Sequence, residues 1–377
     1  PGLDDTHFYR IGGKQLYHGE FFHHGLAKMG ASLGHIDKKK QGRTMCEMYG
    51  AYGWAEGLKL MKWLTDHMLV CGINYFVPHA FTMKDFPDPD CPPHFYARGM
   101  NPQYPYFKYL MNYMNRVSHL INGGIHVPNV AVLYHAEAEW AGEYQPFETV
   151  GRILTKNQID FEVVPIDVVV ESLVSDGQLM VGEEACKTLI IPTSQYLPTK
   201  LIDWCKKAIA MGLPIICINE HPMGIHDPKE KPILINNLKC VNMEEIIPYL
   251  REIGAYEIEL TDKAPDLRYY HYKQPKGEFY LFFNDSPIKS INTRVKLATI
   301  NQKVWHYDAF DNKLMAADYE AGELILSLSP YETYIAYVGE AAEDKLSSQT
   351  NSKVSREQEL NATWKLTMRA AGSEKKD

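Results

Sequence analysis

The chain has 377 residues, a length that predicts two or three domains rather than one. Charged residues make up 23% of the sequence and its formal net charge is −8. Since there is no long run of lysine and arginine, we expect neither nucleic acid nor an anionic membrane as a partner. No run of about 18 apolar residues is present, so no membrane span is expected.

Seven cysteines are scattered along the chain, and none of them forms a CxxC pair. This usage indicates reduced thiols in a cytoplasmic protein rather than a disulfide framework or a zinc site. No secretory signal is present at the start. Because Pro1 is not an initiator methionine, we expect the natural N-terminus to lie upstream.

Residues 1–126 are predicted to alternate helices with short strands that are followed by long loops. The elements are predicted at 24–36 (helix), 43–46 (strand), 55–70 (helix), 73–77 (strand) and 106–121 (helix). Successive βα units with long loops after the strands are typical of a TIM barrel, which has eight such units. We predict the C-terminal part of a (β/α)8 barrel; a smaller α/β sheet is the alternative.

The rest of the chain predicts α/β and then all-β structure. In 127–254 apolar strands alternate with helices, which indicates a doubly wound, Rossmann/flavodoxin-like parallel sheet. No glycine-rich phosphate-binding motif follows its first strand, so nucleotide binding is not expected. Short strands in 255–340 predict a β-sandwich. Residues 341–377 are interpreted as a linker and the start of a further, truncated domain.

Glu47 is the main catalytic candidate. It ends a short apolar strand and opens a loop rich in glycine and aromatic residues. In a TIM barrel, the carboxyl ends of the strands form the active site. Glycoside hydrolysis requires two carboxylates that flank the scissile bond. The alternative is an ordinary surface glutamate at a strand end.

His79 ends the next predicted strand, where an imidazole could bind a sugar hydroxyl or orient Glu47. Aromatic side chains near the two strand ends could stack against sugar rings, although a packed loop would use the same residue types. These aromatic candidates are Tyr49, Tyr52, Trp54, Phe81 and Phe95.

No metal ligands are assigned from the sequence. His135, Glu137 and Glu139 follow the first strand of the second segment, but their spacing matches no strict metal motif. There is no GxSxG, no HExxH and no Cys/His nucleophile pattern, which leaves little support for serine, metal or thiol hydrolase chemistry.

Four ordered pieces of the sequence, at 44–54, 72–81, 92–95 and 129–134, resemble glycoside hydrolase family 106, the α-L-rhamnosidases, and their uncharacterised relatives. They include Glu-x-x-Gly-x-x-Gly-Trp, which starts at Glu47, and Gly-Ile-Asn-x-x-x-x-His, which ends at His79. The resemblance covers roughly residues 20–340. The middle segment is also similar to the domain that follows the barrel in family 42 β-galactosidases. Residues 329–333 resemble the Pro-Tyr-Glu-Ser ending of many glycosidase sandwiches.

The resemblance implies that Glu47 is one of the two catalytic carboxylates, either the base of an inverting enzyme or the nucleophile of a retaining one. The second carboxylate would lie on an earlier barrel strand outside this chain, so we expect the fragment to be inactive alone. Calcium is implied as a cofactor, with no ligands assigned here. Cys46 departs from many relatives, which have serine there.

The sequence hypothesis is therefore a rhamnosidase-like glycoside hydrolase that releases a terminal sugar from an oligosaccharide. Two alternatives stay open, a retaining β-galactosidase-like enzyme and a non-catalytic carbohydrate-binding or structural protein. The expected partners are the oligosaccharide and the missing N-terminal half of the barrel in the same polypeptide. Homo-oligomer formation is left open.

Overall fold

The computed structural model describes residues 19–50, 56–79, 81, 95–225, 238–298 and 303–340, together with 10–11, 14–15, 233–234, 363 and 365. The chain divides into one compact unit from Pro1 to Ser347 and a second from Ser348 to Asp377. All the elements named below belong to the first unit. The predicted linker and truncated domain at 341–377 lie outside the described residues, except for 363 and 365.

The first segment contains helices that alternate with very short strands. Its elements are β1 (Arg10–Ile11), β2 (Lys14–Gln15), a π-helical turn (Phe21–Leu26), α1 (Ala27–Ile36), β3 (Met45–Met48), α2 (Leu58–Val70), β4 (Tyr75–Pro78), α3 (Phe107–Leu120) and β5 (Ile125–His126). Strands β1 and β2 pair antiparallel, and β3 and β4 form a two-stranded parallel sheet. Short 3-10 turns at Ala97–Gly99 and Tyr104–Tyr106 precede α3.

Helix α2 ends at a glycine that lets the chain turn back into β4. Gly72 has a φ of +98°, the left-handed conformation that glycine adopts without strain. A Cβ atom at this position would also lie only 3.0 Å from the Cβ of Ala31. Ala31 of α1 and Met68 of α2 pack in one cluster with Cys46 and Phe76, so both helices lie on the same side of the β3–β4 pair.

The middle segment alternates strands and helices, with two small antiparallel additions. Its elements are β6 (Val130–Tyr134), α4 (Ala136–Ala141), α5 (Phe147–Lys156), β7 (Phe161–Pro165), α6 (Ile166–Glu171), β8 (Leu173–Ser175), β9 (Gln178–Val181), β10 (Glu184–Cys186), β11 (Thr188–Ile191), β12 (Tyr196–Pro198), α7 (Thr199–Ala210), β13 (Ile215–Ile218), β14 (Met223–Ile225), β15 (Ile233–Leu234), β16 (Lys239–Val241) and α8 (Ile246–Glu252).

Five of these strands form an all-parallel sheet in the order β16-β13-β11-β6-β7. This is the 2-1-3-4-5 order of flavodoxin-like folds. Ala131 and Leu133 pack into one hydrophobic cluster, while Val130 and Val132 pack into another. Both faces of the sheet are thus covered, which explains why its strands are almost continuously apolar.

The C-terminal segment consists of antiparallel strands. They are β17 (Glu259–Leu260), β18 (Leu267–Gln274), β19 (Gly277–Asn284), β20 (Ile291–Lys296), β21 (Val304–Asp308), β22 (Lys313–Ala316), β23 (Tyr319–Glu320), β24 (Glu323–Leu328) and β25 (Thr333–Val338). The sheets β17-β20-β24-β23 and β22-β21-β25-β19-β18-β5 share one apolar core. The edge strand β5 comes from the first segment, since His126 pairs with Tyr272.

Helices α2 and α3 pack against the outer face of the six-stranded sheet. Trp63 of α2 is almost fully buried, and its indole N–H donates a hydrogen bond to the backbone oxygen of Asp285 at 3.0 Å. Asp66, also on α2, accepts hydrogen bonds from Tyr113 and Thr333, each at 2.7 Å. Burial raises the pKa of the Asp66 carboxyl, while the nearby ammonium of Lys62 opposes the shift.

The predicted mixed α/β architecture with several sheets is confirmed. The antiparallel sheets β10-β9-β8 and β12-β14-β15 were not expected from the sequence. In the part of the chain that the structure describes, no helix combines the length and the apolar character needed to cross a membrane. The proposed boundaries at 126, 254 and 340 remain predictions.

Candidate active site at the ends of two parallel strands

The carboxyl ends of β3 and β4 bring together the two polar residues that the sequence singled out. Glu47 lies beside Val77 in the parallel register, and the N–H of His79 donates a hydrogen bond to the oxygen of Met48 at 2.7 Å. A Cβ atom on Gly50 would lie 3.2 Å from Nδ1 of His79, so this glycine permits the imidazole to approach the β3 loop. Glu47 and His79 therefore occupy the same edge of the strand pair.

The two faces of the β3–β4 pair differ in what covers them. Cys46 and Phe76 pack against the cores next to the helices. The alternate side chains lie on the opposite face, where Met45 is 63% exposed and Val77 is 51% exposed. Glu47 belongs to this exposed face. In a closed barrel, side chains that point away from the surrounding helices fill the interior.

Two of the predicted sugar-binding aromatic residues lie in the core instead. Tyr49 has a φ of +68° and is 6% exposed, and its hydroxyl hydrogen-bonds to Oγ1 of Thr65. Phe95 is 3% exposed and packs on Phe107 with ring centroids 5.3 Å apart. The structure corrects both predictions, because neither ring is accessible to a sugar.

Phe81 does lie on the surface near the strand ends. It is 55% exposed, and its ring lies 5.5 Å from that of Tyr96 and 6.0 Å from that of Tyr104. The three rings form an aromatic surface, and Phe81 in it follows His79 by two residues. Its role in sugar binding stays a prediction. The other two aromatic candidates, Tyr52 and Trp54, lie outside the described residues.

Glu56 is a carboxyl that the sequence analysis did not single out. It precedes α2, is 1% exposed, and its Oε1 atom has no hydrogen-bond partner among the described residues. Burial raises its pKa from 4.5 to about 8. A carboxyl kept protonated near neutral pH is the form that a general acid requires. Burial raises the pKa of Tyr49, and the charge of the Glu56 carboxylate contributes to raising it, so Glu56 lies near the β3 loop.

A buried cluster of two histidines and two glutamates lies elsewhere, where α1, β5, β7 and β10 meet. The four side chains are His35, His126, Glu162 and Glu184, and their potential ligand atoms lie within 4.8 Å of one another. Burial disfavours the charged imidazole of His126, but Asp160 and Glu184 outweigh this effect and hold its pKa well above the usual value. No local spacing in the sequence could have indicated this cluster.

A second cluster contains His23, His67 and Asp285. Here Arg268 donates hydrogen bonds to one oxygen of Asp285 from Nε at 2.9 Å and from an Nη atom at 2.6 Å. The same Nη atom lies 2.9 Å from Nε2 of His23. Burial opposes ionisation of Asp285, but Arg268 outweighs it and holds the pKa of this carboxyl well below its usual range. A guanidinium therefore already occupies the position that a cation would take.

Calcium, which the family resemblance implies, has no matching ligand set among the described residues. Both clusters that could hold a metal ion contain two histidines, whereas calcium prefers oxygen ligands only. His135 is buried with Nδ1 3.2 Å from the oxygen of Leu133, and Glu137 and Glu139 are exposed and belong to neither cluster.

Comparisons with known proteins were consistent with these observations at the level of the fold. The chain is similar to the solved rhamnosidase from Novosphingobium sp. PP1Y, with a TM-score of 0.65, 16% identity and coverage of 87% of this chain and 34% of that one. The β-galactosidase from Bacillus circulans sp. alkalophilus gives a TM-score of 0.48 and 10% identity over 74% of this chain and 52% of that one. The α-L-fucosidase isoenzyme 2 from Paenibacillus thiaminolyticus gives a TM-score of 0.47 and 11% identity over 76% of this chain and 58% of that one.

No protein-family model matches the chain, and no curated protein matches its sequence. The chain thus has a fold of the kind found in glycoside hydrolases, and it spans about a third of the length of the rhamnosidase it resembles. At 16% identity, this likeness establishes the fold alone.

Proposed function

We propose that this chain is part of a glycoside hydrolase in which Glu47 supplies one catalytic carboxylate. The observation that carries the proposal is the position of Glu47 at the carboxyl end of β3, on the exposed face and beside the end of β4. In barrel enzymes, this edge holds the catalytic groups. His79 follows the neighbouring strand and is close enough to the β3 loop to position a substrate hydroxyl or the carboxylate.

The exposed face of the β3–β4 pair supports a barrel that further strands complete. Met45 and Val77 are apolar and more than half exposed, and Tyr75 is 42% exposed. A parallel strand pair with one bare apolar face is unusual, because parallel sheets are normally covered on both faces. The proposed covering is the remaining barrel strands of the same polypeptide. These strands would also enclose Glu47 in an active-site cleft.

The second carboxylate of the reaction has two candidate sources. One is an upstream barrel strand outside this chain, as the family resemblance implies. The other is Glu56, whose raised pKa suits a general acid but whose side chain is buried in the present conformation. In either case Glu47 would act as the ionised partner, activating water or attacking the sugar directly.

The proposed substrate is an oligosaccharide with a terminal sugar of the rhamnose type. The support is the similarity of the fold to the Novosphingobium rhamnosidase together with the ordered motifs around Glu47 and His79. The exposed aromatic surface at Phe81 offers a stacking face for a sugar ring near the same edge.

The test uses the natural polypeptide that contains this chain, assayed on aryl α-L-rhamnosides and aryl β-galactosides. Glu47→Gln is expected to lower kcat by about 10³-fold or more, since the group takes part in the chemical step. Glu137→Gln, which changes an exposed glutamate after a strand of the middle sheet, is the matched control and is expected to keep full activity. Undiminished turnover by Glu47→Gln would refute the role of Glu47.

Two further measurements separate the alternatives. Glu56→Gln is expected to retain activity if the second carboxylate lies upstream, and to lose it if Glu56 is the general acid. The anomeric configuration of the first product distinguishes an inverting rhamnosidase-like enzyme from a retaining β-galactosidase-like one. Sugar binding without turnover by the natural protein would instead favour a carbohydrate-binding protein.

A further inference from the structure

The buried cluster of His35, His126, Glu162 and Glu184 has the geometry of a metal site. Nδ1 of His35 lies 2.8 Å from Oε1 of Glu162 and 3.4 Å from Oε1 of Glu184. Nδ1 of His126 lies 2.7 Å and 3.3 Å from the same two oxygens. Ligands about 2.0–2.1 Å from a tetrahedral zinc ion are separated from one another by about 3.3 Å. Four ligand atoms thus surround one common point.

Both imidazoles are held by their other nitrogen in the way that metal-binding histidines are. Nε2 of His126 lies 2.7 Å from Oδ2 of Asp160, and Nε2 of His35 lies 3.5 Å from the hydroxyl of Tyr270. A histidine that binds a metal through one nitrogen characteristically donates the N–H of the other to a carboxylate or another oxygen. These contacts leave Nδ1 of each ring to the cluster.

Hydrogen bonds within the cluster satisfy only some of its polar atoms, among them Nδ1 of His35 and Oε1 of Glu162. Nδ1 of His126 lies close to Oε1 of Glu162 but lacks hydrogen-bonding geometry towards it. Oε2 of Glu162 and Oε2 of Glu184 are also buried, and neither has a hydrogen-bond partner among the residues that the structure describes. Buried polar atoms in folded proteins almost always have partners. A cation between the two carboxylates and the two imidazoles would supply the interaction that Nδ1 of His126 lacks.

The charges around the cluster balance with a divalent cation. Asp160, Glu162 and Glu184 contribute three negative charges. Lys28 contributes one positive charge, since its Nζ atom lies 2.5 Å from Oδ1 of Asp160. With neutral imidazoles the sum is −2 (three negative charges less one positive), which a divalent ion cancels. Two imidazolium rings would balance the same charge, so the geometry and the unsatisfied atoms are what distinguish a metal site from a proton-sharing network.

We propose that His35, His126, Glu162 and Glu184 bind one zinc ion at the junction of α1, β5, β7 and β10. Two imidazoles with two carboxylates suit zinc, and four protein ligands fill its tetrahedral coordination, as in structural rather than catalytic sites. A cavity of about 310 Å³, lined in part by His35, His126 and Glu184, opens beside the cluster and provides an entry path. The zinc ion would stabilise the junction of the first and middle segments, because His35 and His126 come from the first segment and Glu162 and Glu184 come from the middle one.

The cluster of His23, His67 and Asp285 serves as a comparison within the same molecule. It also combines two histidines with a carboxylate, but the guanidinium of Arg268 contacts both Asp285 and His23. We therefore expect zinc at the His35 cluster and none at His23. The zinc proposal does not rest on the glycoside hydrolase proposal, since it concerns a separate cluster and is tested without any assay of activity.

The experiment measures zinc in the tag-free 377-residue chain by elemental analysis and by titration of the chelator-treated protein. One zinc ion per chain is expected, together with a lower Tm after chelation that recovers when zinc is added. His35→Gln and Glu184→Gln are expected to weaken zinc binding by more than about 100-fold, because even outer contacts of a metal site are worth about 10–100-fold in affinity. His23→Gln and His271→Gln, which alter other buried histidines, are the controls and keep one zinc ion.

Circular dichroism of each variant checks the fold. If the ligand variants fail to fold, the stoichiometry and the chelator effect on the Tm of the wild-type chain decide the question. The proposal is overturned if the wild-type chain binds no more zinc than His35→Gln does, if only His23→Gln abolishes binding, or if chelation leaves the Tm unchanged.

Discussion

The chain contains two parallel sheets that differ in what lies on their faces. The strands of the five-stranded sheet are buried on both sides, and alternate residues of β6 such as Ala131 and Val132 pack into different hydrophobic clusters. The β3–β4 pair is covered on one side only, and Val77 on its other side is 51% exposed. The first sheet is therefore covered on both faces. The second leaves one face open, and Glu47 lies on that face.

The largest expected difference between the two sheets is their response to a buried charge. Val132→Asp in β6 should destabilise the chain by about 4 kcal/mol or more, because it places an unpaired carboxylate between covered layers. Val77→Asp on the open face of β4 should change stability by no more than about 0.5 kcal/mol. Urea unfolding of both variants measures the difference.

An equally large loss of stability for Val77→Asp in the 377-residue chain would show that this face of β4 is covered rather than open. The same substitution in a polypeptide that includes the proposed barrel strands sharpens the comparison. If barrel strands cover the face there, Val77→Asp should become destabilising by about 2 kcal/mol or more, as burial of a charge requires.

Glu56→Gln is expected to remove the pH dependence of the free energy of unfolding that arises from the buried Glu56 carboxyl near the β3 loop. The folded-state pKa of Glu56 is about 8, against 4.5 without burial. Between these values the folded state holds more protons than the unfolded state. The stability that protonated Glu56 contributes is therefore complete below about pH 4.5. It is lost as the pH rises to 8, and the free energy of unfolding falls by up to roughly 1.4 kcal/mol per pH unit.

Urea midpoints at pH 5.5, 7 and 8.5 test this prediction on the wild-type chain and on Glu56→Gln. The stability of the wild-type chain should fall relative to that of the variant as the pH rises. Parallel curves for the two proteins would show that Glu56 ionises normally and is not a candidate for a protonated acid.

Tyr49→Phe is expected to cost about 1 kcal/mol, the usual contribution of one buried hydrogen bond. The lost bond joins the Tyr49 hydroxyl to Thr65, whose own hydroxyl also donates to the oxygen of Met61. Tyr109→Phe, at a 55% exposed position of α3, is the control and should have no measurable effect. Thermal unfolding of the three proteins gives the comparison, and no loss for Tyr49→Phe would argue against its place in the core.

Glu47→Gln should have the smallest effect on stability, within about 0.5 kcal/mol, because the side chain is exposed on the open face. In the natural polypeptide, the same variant is expected to lose activity. A residue whose substitution abolishes turnover but leaves the urea midpoint unchanged acts in the reaction rather than in the fold. A large loss of stability would instead assign Glu47 a structural role.

Much of the secondary structure could be predicted from local patterns. Helix α3 runs from Phe107 to Leu120 against a prediction of 106–121, and α2 begins at Leu58 and ends at Val70 against a prediction of 55–70. The antiparallel strands between Leu173 and Cys186 were missed because each has only three or four residues, although Asp176–Gly177 between the first two is a two-residue hairpin signal. In the candidate site, the meeting of Glu47 and His79 was predictable, since parallel neighbours end at the same edge.

The aromatic part of the site could not be predicted in the same way. The positive φ of Tyr49 turns its ring into the core, and nothing in the residue types around it indicates that conformation. Likewise, the burial of Phe95 depends on its contact with Phe107, which comes from a later helix. Exposure is a property of the packed chain, whereas composition shows only that aromatic residues are available near the strand ends.

The sequence by itself determined the helices and the longer strands, and where polar residues follow strand ends, because both depend on periodicity over a few neighbouring residues. Only the tertiary structure decided which sheet face is open and which buried polar side chains meet. His35 and Glu184 are distant in sequence, yet their ligand atoms are 3.4 Å apart. Burial and electrostatic interaction act through space, so they appear only once the chain has folded.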